Sequence, residues 1–418
     1  MLKKNVILFF CIASLMASVT GCTTIASKPK STPNATKSAP IVARSVPSID
    51  KSTPSVNTSL NNHSNTSVAM VPDWVHMFNE QNGYGLSLDH PVMITSTGEK
   101  TWIDVTPQKG VNVPNVPNID ISSYFLNAQI GWAFRVHRDK SVTVLGTHDG
   151  GQSWSQLATV PIKYGDGGWF VVFSDARHGW FEEITAAIHT PLSAELFATN
   201  DGGNTWQRVA SASYKFKFNN ANKWVSVHQG NLPYFGSLSA QEDGTLWLTG
   251  TGIQKSTDGG RTWSPANLPL LADQKTERIS KPVFFGNGDG VIIVRFKGDH
   301  WVLYTTRDGG RTWSFHKLAL ALRGSSVVYD FISNREGWAI DNGNGDSDKV
   351  LYVTHDGGLS WQTIPLNDVL KNQPVVEIDF VNSKIGWILY NGNGTGLAKS
   401  INGGMTWEKI KTEGGIRK

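Results

Sequence analysis

Three carboxylates are the residues best placed to do chemistry. Asp330 and Asp379 each precede a phenylalanine, Phe331 and Phe380, at matching places in two apolar runs, and Glu377 lies two residues ahead of Asp379. General acid–base chemistry needs a spaced pair of this kind, one group to give a proton and one to take it. The same groups also serve as acceptors for water or backbone N–H, and that plainer reading is the favoured one. Metal chemistry has less support. His148 and His355 each precede an aspartate, but adjacent residues point to opposite sides of a strand or turn, so both read as solvated turn residues. The segment N-G-N-G-D-S-D at 342–348 has the alternating oxygen ligands of a calcium loop. Ser347 stands where such a loop needs glycine, however, and Val353 where it needs a bidentate glutamate. A polar turn explains it, with 391–396 as its counterpart further along. Only Cys11 and Cys22 could supply sulfur, which excludes a disulfide scaffold and any multi-cysteine zinc site. No cofactor and no metal is expected.

These candidates sit inside a repeat. T-H-D-G-G-Q-S-W at 147–154 recurs as T-N-D-G-G-N-T-W at 199–206, S-T-D-G-G-R-T-W at 256–263 and T-R-D-G-G-R-T-W at 306–313. T-H-D-G-G-L-S-W at 354–361 and S-I-N-G-G-M-T-W at 400–407 follow, and T-S-T-G-E-K-T-W at 95–102 is a decayed first copy. Successive closing tryptophans are 52, 52, 57, 50, 48 and 46 residues apart, the period of a propeller or solenoid. A second signature, an aromatic, a short polar turn and Gly-Trp, ends at Trp132, Trp180, Trp338 and Trp387, with looser versions at 78–84 and 285–291. Each repeat holds four short runs rich in Val, Ile, Phe, Trp and Thr between turn residues, which predicts four strands and no helix. In the D-G-G-x-[ST]-W segment, the aspartates Asp149, Asp201, Asp258, Asp308 and Asp356, with Asn402 in the last copy, accept hydrogen bonds from their own turn. The glycines supply positive φ, and the tryptophan opens the fourth strand as a large plate between sheets. The motif thus reads as a lock on the hairpin between strands three and four, and the Gly-Trp segment as one between strands one and two.

The S/T-x-D-x-G-x-[ST]-W segment is the Asp-box, or bacterial neuraminidase repeat. Together with the F-x-[ND]-x-x-x-G-W hairpin it makes 73–412, about four-fifths of the chain, resemble the photosystem II stability/assembly factor-like family. The resemblance implies an all-β fold, a seven-bladed β-propeller of four-stranded antiparallel blades, and a role in assembling or stabilising a membrane complex. It says little about chemistry, because Asp-boxes occur in hydrolases, receptors and assembly factors alike. Sialidases among them need an arginine triad whose first member lies in an R-I-P segment. No R-I-P occurs here, and the first arginine of the repeat region is Arg135, so sialidase activity is not expected. The chain reads as a non-enzyme. A carbohydrate-binding or glycoside-hydrolysing propeller is the alternative, with Asp330 and Asp379 facing the central channel.

Three domains follow: 1–22, 23–72 and 73–418. Lys3 and Lys4 precede an apolar stretch at 6–16 and the tetrad Val19-Thr20-Gly21-Cys22, a secretory signal pattern whose last residues resemble the bacterial lipobox. That resemblance implies acylation at Cys22 and a lipid anchor outside the cytoplasmic membrane. Residues 23–72 are mostly Ser, Thr, Pro, Asn, Ala and Val and predict a disordered tether, roughly 40 Å in root-mean-square span. The formal charge of +4 belongs to these ends. Seven of the 38 basic residues but one of the 34 acidic residues precede position 73, which leaves the repeat region near −2. Nucleic acid is therefore not an expected partner.

A protein or envelope polymer is. Loops from strand four to the next strand one, and from two to three, share one propeller face; the longest are 212–232, 182–194 and 341–349. The first interleaves aromatic and basic residues, among them Lys215, Lys217, Lys223 and Trp224, which suit anchors at an interface. The alternation of Tyr214, Phe216 and Phe218 also fits an extra strand packed on a blade. A monomer is expected.

Overall fold

A computed structural model of the chain describes residues 67–68 and 71–411, save for 88–89, 108–120, 164–167, 186–192, 219–223, 235, 251, 267, 270–275, 287, 299, 319, 321–326, 343–348, 371–372 and 393. Seven antiparallel sheets follow one another along it, each built from one contiguous stretch. Blade 1 runs from Trp74–Met77 to Trp102–Asp104, blade 2 from Ile121–Phe125 to Ser155–Pro161, and blade 3 begins at Gly168–Phe173. Blade 4 runs from Ser237–Ala240 to Ser264–Pro265, blade 5 from Thr276–Ile279 to Ser314–Lys317, blade 6 from Val327–Phe331 to Gln362–Pro365 and blade 7 from Val375–Phe380 to Glu408–Lys409. First strands touch between blades 2 and 3, 3 and 4, 6 and 7, and 7 and 1, and buried clusters join blades 1 and 2, 4 and 5, and 5 and 6, so the seven sheets close a ring around a central channel. One four-residue helix, Asn367–Leu370, links blades 6 and 7.

Both sequence signatures occupy the hairpins expected of them. In blade 2 the Asp149 carboxylate accepts the Ser153 N–H (2.8 Å), the Ser153 hydroxyl (2.6 Å) and the Thr147 hydroxyl (2.8 Å). Thr147 Oγ1 in turn accepts the Gly151 N–H, across a turn in which Gly150 and Gly151 have φ of 71° and 87°. Asp201, Asp258, Asp308 and Asp356 repeat the pattern. Asn402 reproduces it with an amide, donating to Thr406 Oγ1 while accepting the Thr406 N–H. In the other hairpin Gly131 faces Phe125 across the strand pair, and a Cβ there would collide with the phenyl ring. That collision explains why glycine precedes the tryptophan.

The Gly-Trp residues of blades 2, 3, 6 and 7 couple those blades to the next. Trp132 stacks on Phe173 of blade 3 at 3.5 Å and donates its indole N–H to the Gly202 carbonyl in that blade's Asp-box. Trp338 does the same across blades 6 and 7, stacking on Phe380 at 3.7 Å and bonding Gly403. Within the receiving blade the phenyl ring meets the Asp-box tryptophan edge-on, as in Phe380 and Trp407. The core is therefore a set of aromatic stacks between sheets.

Blades 7 and 1 close the ring differently. Trp387 meets the decayed Asp-box, where Glu99 occupies the position of the second glycine at φ 83°. The Glu99 carboxylate, 2% exposed, accepts the Trp387 indole N–H (2.9 Å) and pairs with Lys399 Nζ (3.1 Å). Burial raises its pKa, against the pull of Lys399.

Three features depart from the plain repeat. Ser67–Val68, inside the stretch read as tether, pairs with Trp102–Asp104 as a fifth, outermost strand of blade 1, so the fold begins by Ser67. In blade 5 the first strand is broken into Thr276–Ile279 and Val283–Phe284 around Lys281 and Pro282. Blade 3 has a 12-residue fourth strand, Gln207–Phe218, and a fifth, Trp224–Gly230, so 212–232 is mainly a hairpin extending the blade edge and not a surface loop. Of 182–194, the ends 182–184 and 193–194 likewise lie in strands.

Candidate functional site

The channel gathers titratable groups from four blades. Asp330 is the penultimate residue of the first strand of blade 6, Glu377 and Asp379 lie on one side of the first strand of blade 7, and His76 lies on that of blade 1. Lys281 comes from the break in the first strand of blade 5, where the proline ring removes a ladder donor and opens the strand. Alternation explains the arrangement: Ile378 and Phe380 are buried between sheets, which turns Glu377 and Asp379 towards the channel.

Each carboxylate is tied to the backbone of the following blade. Asp330 Oδ2 accepts the Phe380 N–H at 2.7 Å, and Asp379 Oδ2 accepts the Met77 N–H at 2.6 Å. Glu377 receives the Val75 N–H two residues earlier on the same strand, while its Oε2 is buried with no partner. His76 Nδ1 lies 3.6 Å from Asp379 Oδ1, with 47% of the imidazole still accessible from the channel. The plainer sequence reading is thus the structural one: these acids strap blades 6, 7 and 1 together.

The strapping leaves unusual protonation. Burial, reinforced by the charge on Asp379, pushes Asp330 up to about 7. Burial and then Asp379 also lift Glu377 well above the usual carboxylate range. Desolvation works against protonating His76, but the hydrogen bond and charge of Asp379, with Asp330, outweigh it and raise its pKa. Lys281 is lowered by burial, with Glu377 opposing. Asp330, pushed up to about 7, is therefore able to exchange its proton near neutral pH. Acid–base turnover needs a substrate beside it, however, and three of the channel carboxylate oxygens already hold backbone. A cleft between blades 5 and 6, lined by Arg278, Ser280, Ile293, Trp301, Val327 and Tyr329, has a volume of about 10 Å³, room for one water molecule at most.

Lys215 and Lys217 are on the extended fourth strand of blade 3 and Trp224 opens its fifth; Lys223 and Cys22 lie outside the described residues. The backbone register pairs Lys215 with Val227, Lys217 with Val225 and Phe218 with Trp224, which gathers the first two lysines and the tryptophan at one end of a single hairpin. Of the calcium-like segment, 343–348 is outside the described residues, and Asn342 bonds the Val375 backbone through both its amide atoms, at 2.7 and 2.8 Å. His148 is exposed, and His355 pairs with Glu336 at 2.7 Å. Sequence reading missed His76 and Lys281, which fall in no repeated motif, and Glu99, which sits in the decayed Asp-box; the broken pattern at Lys281-Pro282 and the glutamate in place of glycine signalled two of them.

Fold and repeats together define an Asp-box β-propeller, and the BNR/Asp-box repeat family matches residues 254–265. Within that class the chain is similar to photosystem II assembly proteins. It is 20% identical over 180 residues to the photosystem II assembly lipoprotein Ycf48 of Prochlorococcus marinus (strain MIT 9312), an overlap covering 41% of this chain and 49% of that protein. It is 23% identical over 336 residues to the chloroplastic photosystem II stability/assembly factor HCF136 of Oryza sativa subsp. japonica, covering 66% and 76%. The chain thus spans about half of the first relative and three-quarters of the second. Among solved structures, the GH74 xyloglucanase of Xanthomonas campestris shares the fold, with a TM-score of 0.54 at 13% identity over 84% of this chain and 56% of that one. A structure of YCF48 bound to D1 peptide aligns with a TM-score of 0.49 at 19% identity, over 82% and 98%.

Proposed function

We propose that the chain is a non-enzymatic propeller that binds a protein of a membrane or envelope complex and supports that complex's assembly or stability. The observation that carries this reading is the sequence similarity to two photosystem II assembly or stability proteins, one of which extends over two-thirds of the chain. The channel agrees with it, because its carboxylates are engaged in holding blades together. Cys22 carries the lipid in this proposal and keeps the propeller on the extracytoplasmic side of the membrane. The blade 3 hairpin, with Lys215, Lys217, Lys223 and Trp224, is the proposed contact for protein.

Affinity capture from detergent-solubilised membranes tests the proposal. The wild-type chain recovers a membrane protein, and K215E/K217E and W224A lose it while melting at an unchanged temperature. Undiminished capture by those variants rules out this face, and capture of nothing by wild type overturns the function.

A carbohydrate-active role is the second reading, favoured by one observation: Asp330, pushed up to about 7, lies close enough to Asp379 to feel its charge. Here D330N and D379N abolish turnover of envelope polysaccharides. Unchanged turnover, or none in wild type, removes this reading.

A further inference from the structure

The Asp-box rim changes character at blades 6 and 7. At the position after the two glycines, blades 2 to 5 carry Gln152, Asn204, Arg261 and Arg311, and blade 1 carries Lys100; all five are exposed. Blades 6 and 7 carry Leu359 and Met405 there, and Ile401 replaces the polar residue before the box in blade 7. These three side chains are 64%, 51% and 68% exposed. Gln362, in the strand that follows the blade 6 box, reaches Met405 Sδ in the blade 7 box at 3.8 Å, which places these two apolar boxes side by side on the rim.

Cations bracket the patch. Arg307 and Arg311 occupy the blade 5 box and Lys100 that of blade 1, all exposed. Arg335 and Lys384, also exposed, lie in the first hairpins of blades 6 and 7, and their carbonyls accept Gly357 and Gly403 of the apolar boxes. Negative charge is meanwhile reduced, since the box aspartate is replaced by Asn402 in blade 7 and Thr97 in blade 1, and Glu336 is paired with His355. Protein hot spots favour packed pockets ringed by other contacts. These side chains stand on exposed turns held by the boxes, with exposed cations in the same and the flanking blades. Apolar tips with basic flanks are the pattern of interfacial membrane binding.

We propose that the Asp-box rim of blades 6 and 7 is a membrane-docking edge, with Leu359, Ile401 and Met405 entering an anionic bilayer surface and Arg335 and Lys384 meeting its headgroups. The contact is independent of any lipid on Cys22 and fixes the orientation of the propeller, which a tether alone does not.

The test uses the unacylated chain from residue 23 onward; residues 59–418 form one compact unit, so the propeller is kept whole. Co-sedimentation is measured with vesicles of phosphatidylcholine alone and of phosphatidylcholine mixed with phosphatidylglycerol. Wild type binds the mixed vesicles, and L359S/I401S/M405S binds them about tenfold less. R335E/K384E loses binding to the mixed vesicles and is unchanged on the neutral ones. The substituted residues are exposed, so melting temperatures stay constant. Equal binding by wild type and the triple variant overturns the proposal. So does wild type that ignores both vesicles, or a patch needed for capturing a protein and not for vesicles.

Discussion

Replacing Asp330 with asparagine should flatten the dependence of stability on pH. In the folded ring this carboxyl is pushed from its ordinary 3.8 up to about 7 by burial and by Asp379. The folded state therefore holds a proton that the unfolded chain releases above pH 4. Such a group contributes nothing unfavourable below its unfolded pKa, and stability is lost as pH rises from about 4 to about 7. A shift of about 3 units corresponds to about 4 kcal/mol at most, with solvent in the channel reducing it. Asparagine keeps the acceptor for the Phe380 N–H and has no charge to lose. Urea unfolding at pH 5 and pH 8 should show wild type weakening by a few kcal/mol, and D330N weakening less and exceeding wild type at pH 8. His76 and Glu377 are also raised, so they push the same way and leave a residual slope in the variant. Parallel pH profiles for wild type and D330N would refute the argument.

The ring seam and the Asp-boxes offer two further tests. E99A strands Lys399 and the Trp387 indole in a buried site and should cost about 3 kcal/mol by urea unfolding. E99G should cost about 1 kcal/mol less, because glycine accepts the φ of 83° without strain; equal losses would mean that strain is unimportant there. D308A removes the acceptor for two backbone N–H groups and two hydroxyls and should cost about 1–2 kcal/mol, while D308N should be near neutral because Asn402 already performs the role in blade 7. Thr312 and Thr306 also help hold Asp308 down to about 2, so this box loses stability as pH falls from about 4 towards 2. A D308N protein with an unaltered acid limb would contradict that assignment.

The hairpins were legible because both depend on local chemistry: a turn that needs its own acceptor, and a phenyl ring that needs an empty Cα opposite. Trp247 shows where such reasoning stops. It pairs with Ser239, as Trp132 pairs with Tyr124, and packs on Phe284 of blade 5, so it is the coupling tryptophan of blade 4. The motif around it is unrecognisable because Leu246 stands where Gly131 would and Ala240 where Phe125 would. With no ring to accommodate, glycine is unnecessary, and the two substitutions compensate each other. The aromatic alternation at 214–218 held the right answer, a strand, and the basic side chains interleaved with it were what argued for an exposed loop. The straps at Asp330 and Asp379 needed the fold, since their partners Phe380 and Met77 lie 50 and 302 residues away.

Among the described residues the ring closes without exchanging a strand across the seam, and this separates its assembly into two kinds of step. Six interfaces join neighbours in sequence, so blades are able to condense one after another on local contacts. The seventh joins residues 288 and 300 positions apart through Trp387, Lys399 and Glu99. Closure entropy grows only with the logarithm of that separation, so the long span is affordable once the other blades have set the curvature. What completes the molecule is then the docking of blade 7 on blade 1, through the Glu99 contacts and the bonds of Asp379 and Glu377 to the blade 1 backbone. A chain cut between two other blades and rejoined at the old termini would move that event without changing any blade.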